Sequence, residues 1–219
     1  MKLYTFWRSN AAYRVRVALN IKGIPFEKVS IDLLKGEQFA AGFRDVNPAR
    51  AVPALDLDDG KPALFESMAI LEYLEETHPQ PALLPGDARG RARVRALAQI
   101  VVADGHPLQV PRVRKMLVEG FKFDEAQLAH WQTHWYQESL ISLEEHLARD
   151  AETGRFCHGD SVTMADICLA GWIIGAQGQK VDLAPYPTVM RIAKACFAMD
   201  EFAREHMSKQ PGAPGAPPA

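Results

Sequence analysis

Cysteine is scarce in this chain, with three in 219 residues, all beyond position 150 and none in a Cys-x-x-Cys pair. Cys157, Cys168 and Cys196 leave one thiol over in any disulfide scheme, which argues against a disulfide framework and for a reducing, cytoplasmic setting. Long apolar runs are missing too. No stretch approaches the roughly eighteen residues that a membrane helix needs, and the opening MKLYTFWRSN has no apolar core of a secretory signal. Nor is there an excess of charge of one sign. The 25 Lys and Arg stand against 27 Asp and Glu, a net of −2, which removes nucleic acid and acidic lipid surfaces from the expected partners. What is present is 47% hydrophobic and 24% charged residues, a globular composition at a length that admits two small domains.

The periodicity changes character along the chain. Residues 2–6 read as a strand, residues 11–22 carry Val15, Ala18 and Leu19 at helical spacing, and Gly23-Ile24-Pro25 stops that helix. Residues 26–31 form a second strand, which a right-handed crossover lays parallel to the first. A short helix over 38–45 precedes Asn47-Pro48. Residues 52–57 and 63–65 flank Asp58-Asp59-Gly60, a hairpin signal, and a helix over 67–77 follows. The order is β-α-β-α-β-β-α over residues 1–84.

From residue 87 the pattern is helical throughout. Long amphipathic helices are expected over 89–120 and 124–149, with shorter ones over 164–176, 188–197 and 201–206, which makes residues 87–209 an all-α bundle. Thr163-Met164-Ala165-Asp166 has the spacing of a helix-starting capping box. Residues 210–219 are Pro, Gly and Ala after Gln210, without apolar periodicity, and are expected to be a mobile tail.

Ligand chemistry in such an α/β domain belongs at the carboxyl ends of the parallel strands. The turn there reads Trp7-Arg8-Ser9-Asn10. Ser9 and Asn10 stand at the entrance of the first helix, where free N–H groups and the helix dipole favour an anion such as a thiolate. A serine hydroxyl can donate to that sulfur, or it can simply cap the helix. Val52-Pro53 enters a strand; with a cis bond Val52 would turn its backbone outward to pair with an extended peptide, whereas an ordinary trans proline would only end the ladder. In Glu66-Ser67, Ser67 is expected to cap a helix whose N-terminus holds a carboxylate, while Glu66 pairs with an amino group. Such a set grips the α-amino acid end of a ligand. His130 and His134 share a helix face but lack the glutamate of a metalloprotease motif, so no metal is expected. Trp131 and Trp135 read as core. Of Arg14 and Arg16, one is expected to be an internal ion-pair partner.

Taken together and in this order, the elements resemble the glutathione transferase superfamily. Finer motifs are similar to its zeta class, the maleylacetoacetate and maleylpyruvate isomerases: Phe6-Trp7-Arg8-Ser9 with Tyr13-Arg14-Val15-Arg16-Val17-Ala18-Leu19, Asn47-Pro48 before Val52-Pro53, Leu83-Leu84-Pro85, His106-Pro107-Leu108-Gln109, and Val181-Asp182-Leu183-Ala184-Pro185-Tyr186-Pro187. The resemblance spans about residues 1 to 210. It implies a thioredoxin-like N-terminal domain, an all-α second domain lining the substrate site, a homodimer, and glutathione as cofactor. Ser9 would stabilise the glutathione thiolate with Asn10 beside it. Gln38 and Gln109 would lie near the glycyl end, Val52 before Pro53 would pair with the cysteinyl backbone, and Glu66 and Ser67 would hold the γ-glutamyl end. Zeta isomerases add the glutathione sulfur to an activated cis double bond, let it rotate, and expel the sulfur, a reaction of aromatic catabolism. General conjugation of small electrophiles, or binding with little turnover, are the alternatives.

Two departures bear on the chemistry. The class pattern Ser-Ser-Cys is here Ser9-Asn10-Ala11, and an Arg-Phe pair whose arginine is thought to face substrate is here Gly178-Gln179. The expected substrate cation is therefore missing from that position. Arg8 is one candidate replacement, and Arg112 or Arg114 another.

Overall fold

The computed structural model describes residues 1–215, which divide into two compact units. One unit is residues 1–82 together with the chain from Met199 onward; the other is Leu83–Ala198.

The first unit is built on a four-stranded sheet in the order β2-β1-β3-β4. Strand β1 (Lys2–Thr5) pairs in parallel with β2 (Glu27–Ser30) and antiparallel with β3 (Ala54–Asp56), which pairs antiparallel with β4 (Leu64–Phe65). Alternation along β1 buries Leu3 completely, opposite Lys28 on one side and Leu55 on the other, so the hydrophobic pattern and the register specify each other. Helix α1 (Asn10–Ile21) makes the parallel crossover and ends before Gly23, whose φ of 65° turns the chain away. The β3–β4 turn uses left-handed backbone at Asp58 and Gly60, as the hairpin reading required. The helix expected over 38–45 is instead a 3₁₀ turn, Glu37–Phe39, and helix α2 (Ala41–Val46), separated by an extended Ala40. Helix α3 (Ser67–Thr77) completes the β-α-β-α-β-β-α order.

The second unit is helical: α4 (Ala88–Gln99), α5 (Pro111–Lys115), α6 (Glu125–Arg149), α7 (Met164–Gly178) and α8 (Pro187–Phe197). The single helix expected over 89–120 is broken. After α4 the chain runs through wide π-type turns at Ile100–Gly105, a 3₁₀ turn at His106–Leu108, α5, and a second π segment at Met116–Gly120. Pro107 and Pro111 are the reason, since neither can donate the amide hydrogen bond that would carry an α-helix past it. Helix α6 opens on a capping box between Asp124 and Gln127, and α7 on the expected one, in which buried Asp166 accepts from the Thr163 amide and hydroxyl. Helix α7 buries nearly every side chain, Trp172 among them. Trp131 and Trp135 are only half buried; with Phe123, His130 and His134 they border an open surface cavity of about 600 Å³, a correction to their reading as core.

The C-terminal reading also changes. The last α-helix, α9, is Asp200–Ala203 rather than 201–206, and the chain from Met199 belongs with the first unit, not with the helical one. Residues 210–213 are held rather than mobile: Gln210 is buried, accepts from Lys28 Nζ at 2.9 Å and donates to the Arg204 carbonyl at 3.1 Å, and Ala213 is buried. One amide side chain with matched partners anchors what composition alone marks as a tail. Pro214 and Gly215 are exposed, and residues 216–219 of that tail lie outside the described residues. Among the described residues, no helix is long and apolar enough to cross a membrane.

Candidate active site

Ser9 ends the β1–α1 turn and is the N-cap of α1. Its amide donates to the Phe6 carbonyl at 3.0 Å, its carbonyl accepts from Tyr13 at 2.9 Å, and its Oγ accepts the Ala12 amide at 3.1 Å. The hydroxyl therefore uses a lone pair to cap the helix, while its own proton has no acceptor among the described residues. Capping and donation to an anion are compatible on this oxygen, because they use different parts of the hydroxyl. The helix N-terminus adds a partial positive charge at the same point. Asn10 follows as the first helical residue, with a buried Oδ1 that lacks a partner among the described residues, and Arg8 is exposed. Buried unpaired polar atoms are uncommon in folded proteins, and this one belongs to the residue next to Ser9.

The Val52-Pro53 peptide is cis. The Val52 side chain is buried in a cluster with Phe6, Ala12, Ile31 and Phe43, against which Trp7 also packs. That cluster brings Val52 to the residues flanking Ser9. Gln38 sits on the 3₁₀ turn, its amide reaching the Leu33 carbonyl at 3.5 Å and its Oε1 buried without a partner among the described residues.

At the start of α3 the structure corrects the reading of Ser67. The N-cap is Glu66, with a left-handed φ of 64°, and Ser67 is the first residue of the helix. The Ser67 hydroxyl caps nothing; its Oγ accepts from Arg14 Nη1 of α1 at 3.1 Å. A non-glycine residue held at positive φ costs about 1–3 kcal/mol and persists only where the surroundings enforce it. Glu66 pays that cost at an exposed position where its side chain remains free to meet a ligand. The Arg14–Ser67 bond was not legible in advance. Its only signal is an arginine inside the apolar run Tyr13-Arg14-Val15.

Arg16 is the ion-pair partner expected within α1, at 3.1 Å from Glu205. Burial pushes its guanidinium down to about 10, an effect that Glu205 opposes, so it stays charged at neutral pH. In the second unit, Gln109 is buried and spends its amide on the Gln132 carbonyl at 2.7 Å, while Arg112 is exposed on α5. The three cysteines are buried free thiols in that unit. Burial, with Asp166 nearby, pushes the Cys157 and Cys196 thiols up, so neither supplies a thiolate at neutral pH.

The sequence pattern of the glutathione S-transferase N-terminal domain matches residues 8–77, the stretch that carries Ser9, Val52, Glu66 and Ser67. Maleylpyruvate isomerase from a Ralstonia species is 44% identical over 211 residues, covering 96% of this chain and 99% of that protein. A holo structure of maleylpyruvate isomerase, a bacterial glutathione S-transferase in the zeta class, superposes with a TM-score of 0.95 at 42% identity, covering 98% of this chain and 100% of that one. The chain belongs to the zeta class of glutathione transferases. A second zeta-type neighbour, maleylacetoacetate isomerase from Methylobacterium extorquens AM1 with bound malonate and glutathione, has a TM-score of 0.95 at 47% identity, over 98% of this chain and 100% of that one. In this transferase the thioredoxin-like expectation is met by the first unit's sheet and three helices.

Proposed function

We propose that this zeta-class transferase is a glutathione-dependent cis–trans isomerase of the maleylacetoacetate or maleylpyruvate type, acting in aromatic catabolism. The observation that carries the reading is Ser9, a helix-capping hydroxyl whose proton is left to donate. When bound, glutathione supplies a sulfur nucleophile that joins one carbon of an activated cis double bond, so that the bond can turn before the sulfur leaves again. Ser9 donates a hydrogen bond to that sulfur and favours its ionised form. Asn10 lies beside it with an unpaired carbonyl oxygen for a ligand N–H. Val52 offers its backbone to the cysteinyl residue, Glu66 its carboxylate to the γ-glutamyl ammonium, and Ser67 its hydroxyl to the γ-glutamyl carboxylate. Gln38 serves the glycyl end and Arg8 the substrate carboxylate.

Glutathione fits this first unit because the orphaned polar atoms at Asn10 and Gln38 and the free proton of Ser9 are the groups that a tripeptide thiol satisfies. A dicarboxylate, malonate, is bound in the Methylobacterium relative, which supports a dicarboxylate as substrate class. Conjugation of small neutral electrophiles is the second reading, favoured by Gly178, which presents no charge where the class has arginine. A homodimer in the cytoplasm completes the proposal. Leu34, Phe39 and Phe65 leave apolar surface exposed on the first unit for a second copy to cover, and three free thiols suit a reducing compartment.

The test is turnover of maleylacetoacetate, maleylpyruvate and chlorodinitrobenzene by the purified protein with glutathione, with Gln109→Ala and Arg112→Ala assayed alongside. Isomerisation that requires glutathione without consuming it supports the reading. Consumption of glutathione with the electrophile alone favours the second, and no calorimetric binding of millimolar glutathione removes both.

A further inference from the structure

Arg14 is almost completely buried on α1, yet its Nη1 reaches the Ser67 Oγ on α3, 3.1 Å away. A guanidinium can only donate, so Ser67 is the acceptor in this bond and its hydroxyl hydrogen must point elsewhere. Serine inside a helix usually turns that hydrogen onto the carbonyl four residues back. Ser67 is the first residue of α3 and follows β4, so no helical carbonyl stands four residues before it. Among the described residues its hydroxyl makes one hydrogen bond, the one it accepts from Arg14. The hydroxyl is thus oriented by a charged donor on one side and offers its proton on the other, next to the N-terminus of α3.

We propose that Arg14 is a positioning residue that sets Ser67 as a donor for a ligand carboxylate, and so determines that the γ-glutamyl end of glutathione is read by its free α-carboxylate. The inference rests on the assignment of Ser67 to the γ-glutamyl end. The guanidinium polarises the hydroxyl it bonds, and a charge-assisted chain of this kind strengthens the bond Ser67 makes to an anion more than one to a neutral amide. Arg14 need not touch glutathione for this. Its effect passes through one oxygen atom.

The experiment compares wild type with Arg14→Met, Arg14→Lys, Ser67→Ala and the Arg14→Met/Ser67→Ala double variant. Each is assayed with glutathione and with glutathione whose γ-glutamyl α-carboxylate is capped as an amide, and its thermal unfolding is recorded. Arg14→Met should raise KM for glutathione about tenfold with kcat little changed, and should shrink the preference for glutathione over the amide by about the same factor. Arg14→Lys, which keeps a donor, should restore part of that preference even where its stability is no better. In the Ser67→Ala background Arg14→Met should add little, since the two act as one unit. The proposal is overturned if Arg14→Met weakens both ligands equally, or if its effect on preference adds in full to that of Ser67→Ala. Should Arg14→Met fail to fold, the wild-type to Arg14→Lys comparison decides, an unchanged preference counting against it. Wild type that binds no glutathione defeats the Ser67 assignment itself; wild type that prefers glutathione while Arg14 is silent defeats only this inference.

Discussion

At Ser9 the helix cap and the proposed donation to sulfur draw on different parts of one hydroxyl, since the Ala12 amide occupies a lone pair and leaves the proton. Ser9→Ala removes both. The cap loss should cost about 1 kcal/mol in urea unfolding. The donor loss should lower turnover by about 10²-fold, the effect of removing one preorganised hydrogen bond to a developing anion. Without the donor the bound sulfur ionises at higher pH, so the deficit in kcat/KM should be largest near pH 6 and narrow toward alkaline pH, where sulfur ionises unaided. A deficit independent of pH would show that Ser9 only caps. Substrate choice is the other residue-scale question. Gly178 ends α7, and a Cβ there meets nothing within 4 Å, so an arginine can be accommodated. Gly178→Arg should raise kcat/KM for a maleyl dicarboxylate by about ten- to 150-fold, the worth of one charge-assisted bond, and leave chlorodinitrobenzene conjugation nearly unchanged. If wild type already isomerises the dicarboxylate efficiently and only Arg8→Ala or Arg112→Ala abolishes it, that account is wrong.

Helix α1 shows how much an element's periodicity can reveal and where it stops. Val15, Ala18 and Leu19 marked a buried face from their spacing, and all three are fully buried. The same spacing could not say what neutralises an arginine on that face. The answer is Glu205, whose carboxylate pairs with Arg16 at 3.1 Å and accepts from Asn20 at 2.8 Å and from Lys28 at 2.7 Å. Arg16 in turn donates to the Thr5 hydroxyl at 2.7 Å, tying α1 to the end of β1. Removing the carboxylate leaves a fully buried guanidinium facing a second cation, so Glu205→Gln should destabilise by about 3–5 kcal/mol, the range for breaking a buried pair from one side. Lys28→Met should cost less, because Glu205 keeps Arg16 and Asn20 as partners and the lost pair is partly screened by water, the Lys28 side chain being 29% exposed. Equal, small losses in urea unfolding for both variants would mean that the cluster does not hold α1. The broken helix after α4 is the opposite case. Pro107 and Pro111 were visible in the sequence, and their missing donors outweighed an apolar pattern that continued through them.

For the whole molecule, the return of the chain from Met199 onward to the first unit means that this unit's fold is not contiguous in sequence. A fragment of residues 1–82 has β1 to β4 and α1 to α3 but not Glu205, so Arg16 and Lys28 would lose the carboxylate they share. Circular dichroism and urea unfolding of that fragment should show no cooperative transition, whereas joining residues 199–215 to it by a flexible linker should restore one. A cooperatively folded 1–82 fragment would refute this. The sequence by itself determined the β-α-β-α-β-β-α order, the helical remainder, and the helix starts at Ser9 and Thr163. Those features depend on side-chain period, turn chemistry and capping, which act between residues a few positions apart. Only the tertiary structure decided that Ser67 faces Arg14 instead of capping α3, that Glu205 closes a charge cluster 189 residues from Arg16, and that residues 210–213 are held. Those are pairings between groups far apart in the chain, and a charge or hydroxyl carries no local mark of its partner, because the partner is selected by burial once the elements have packed.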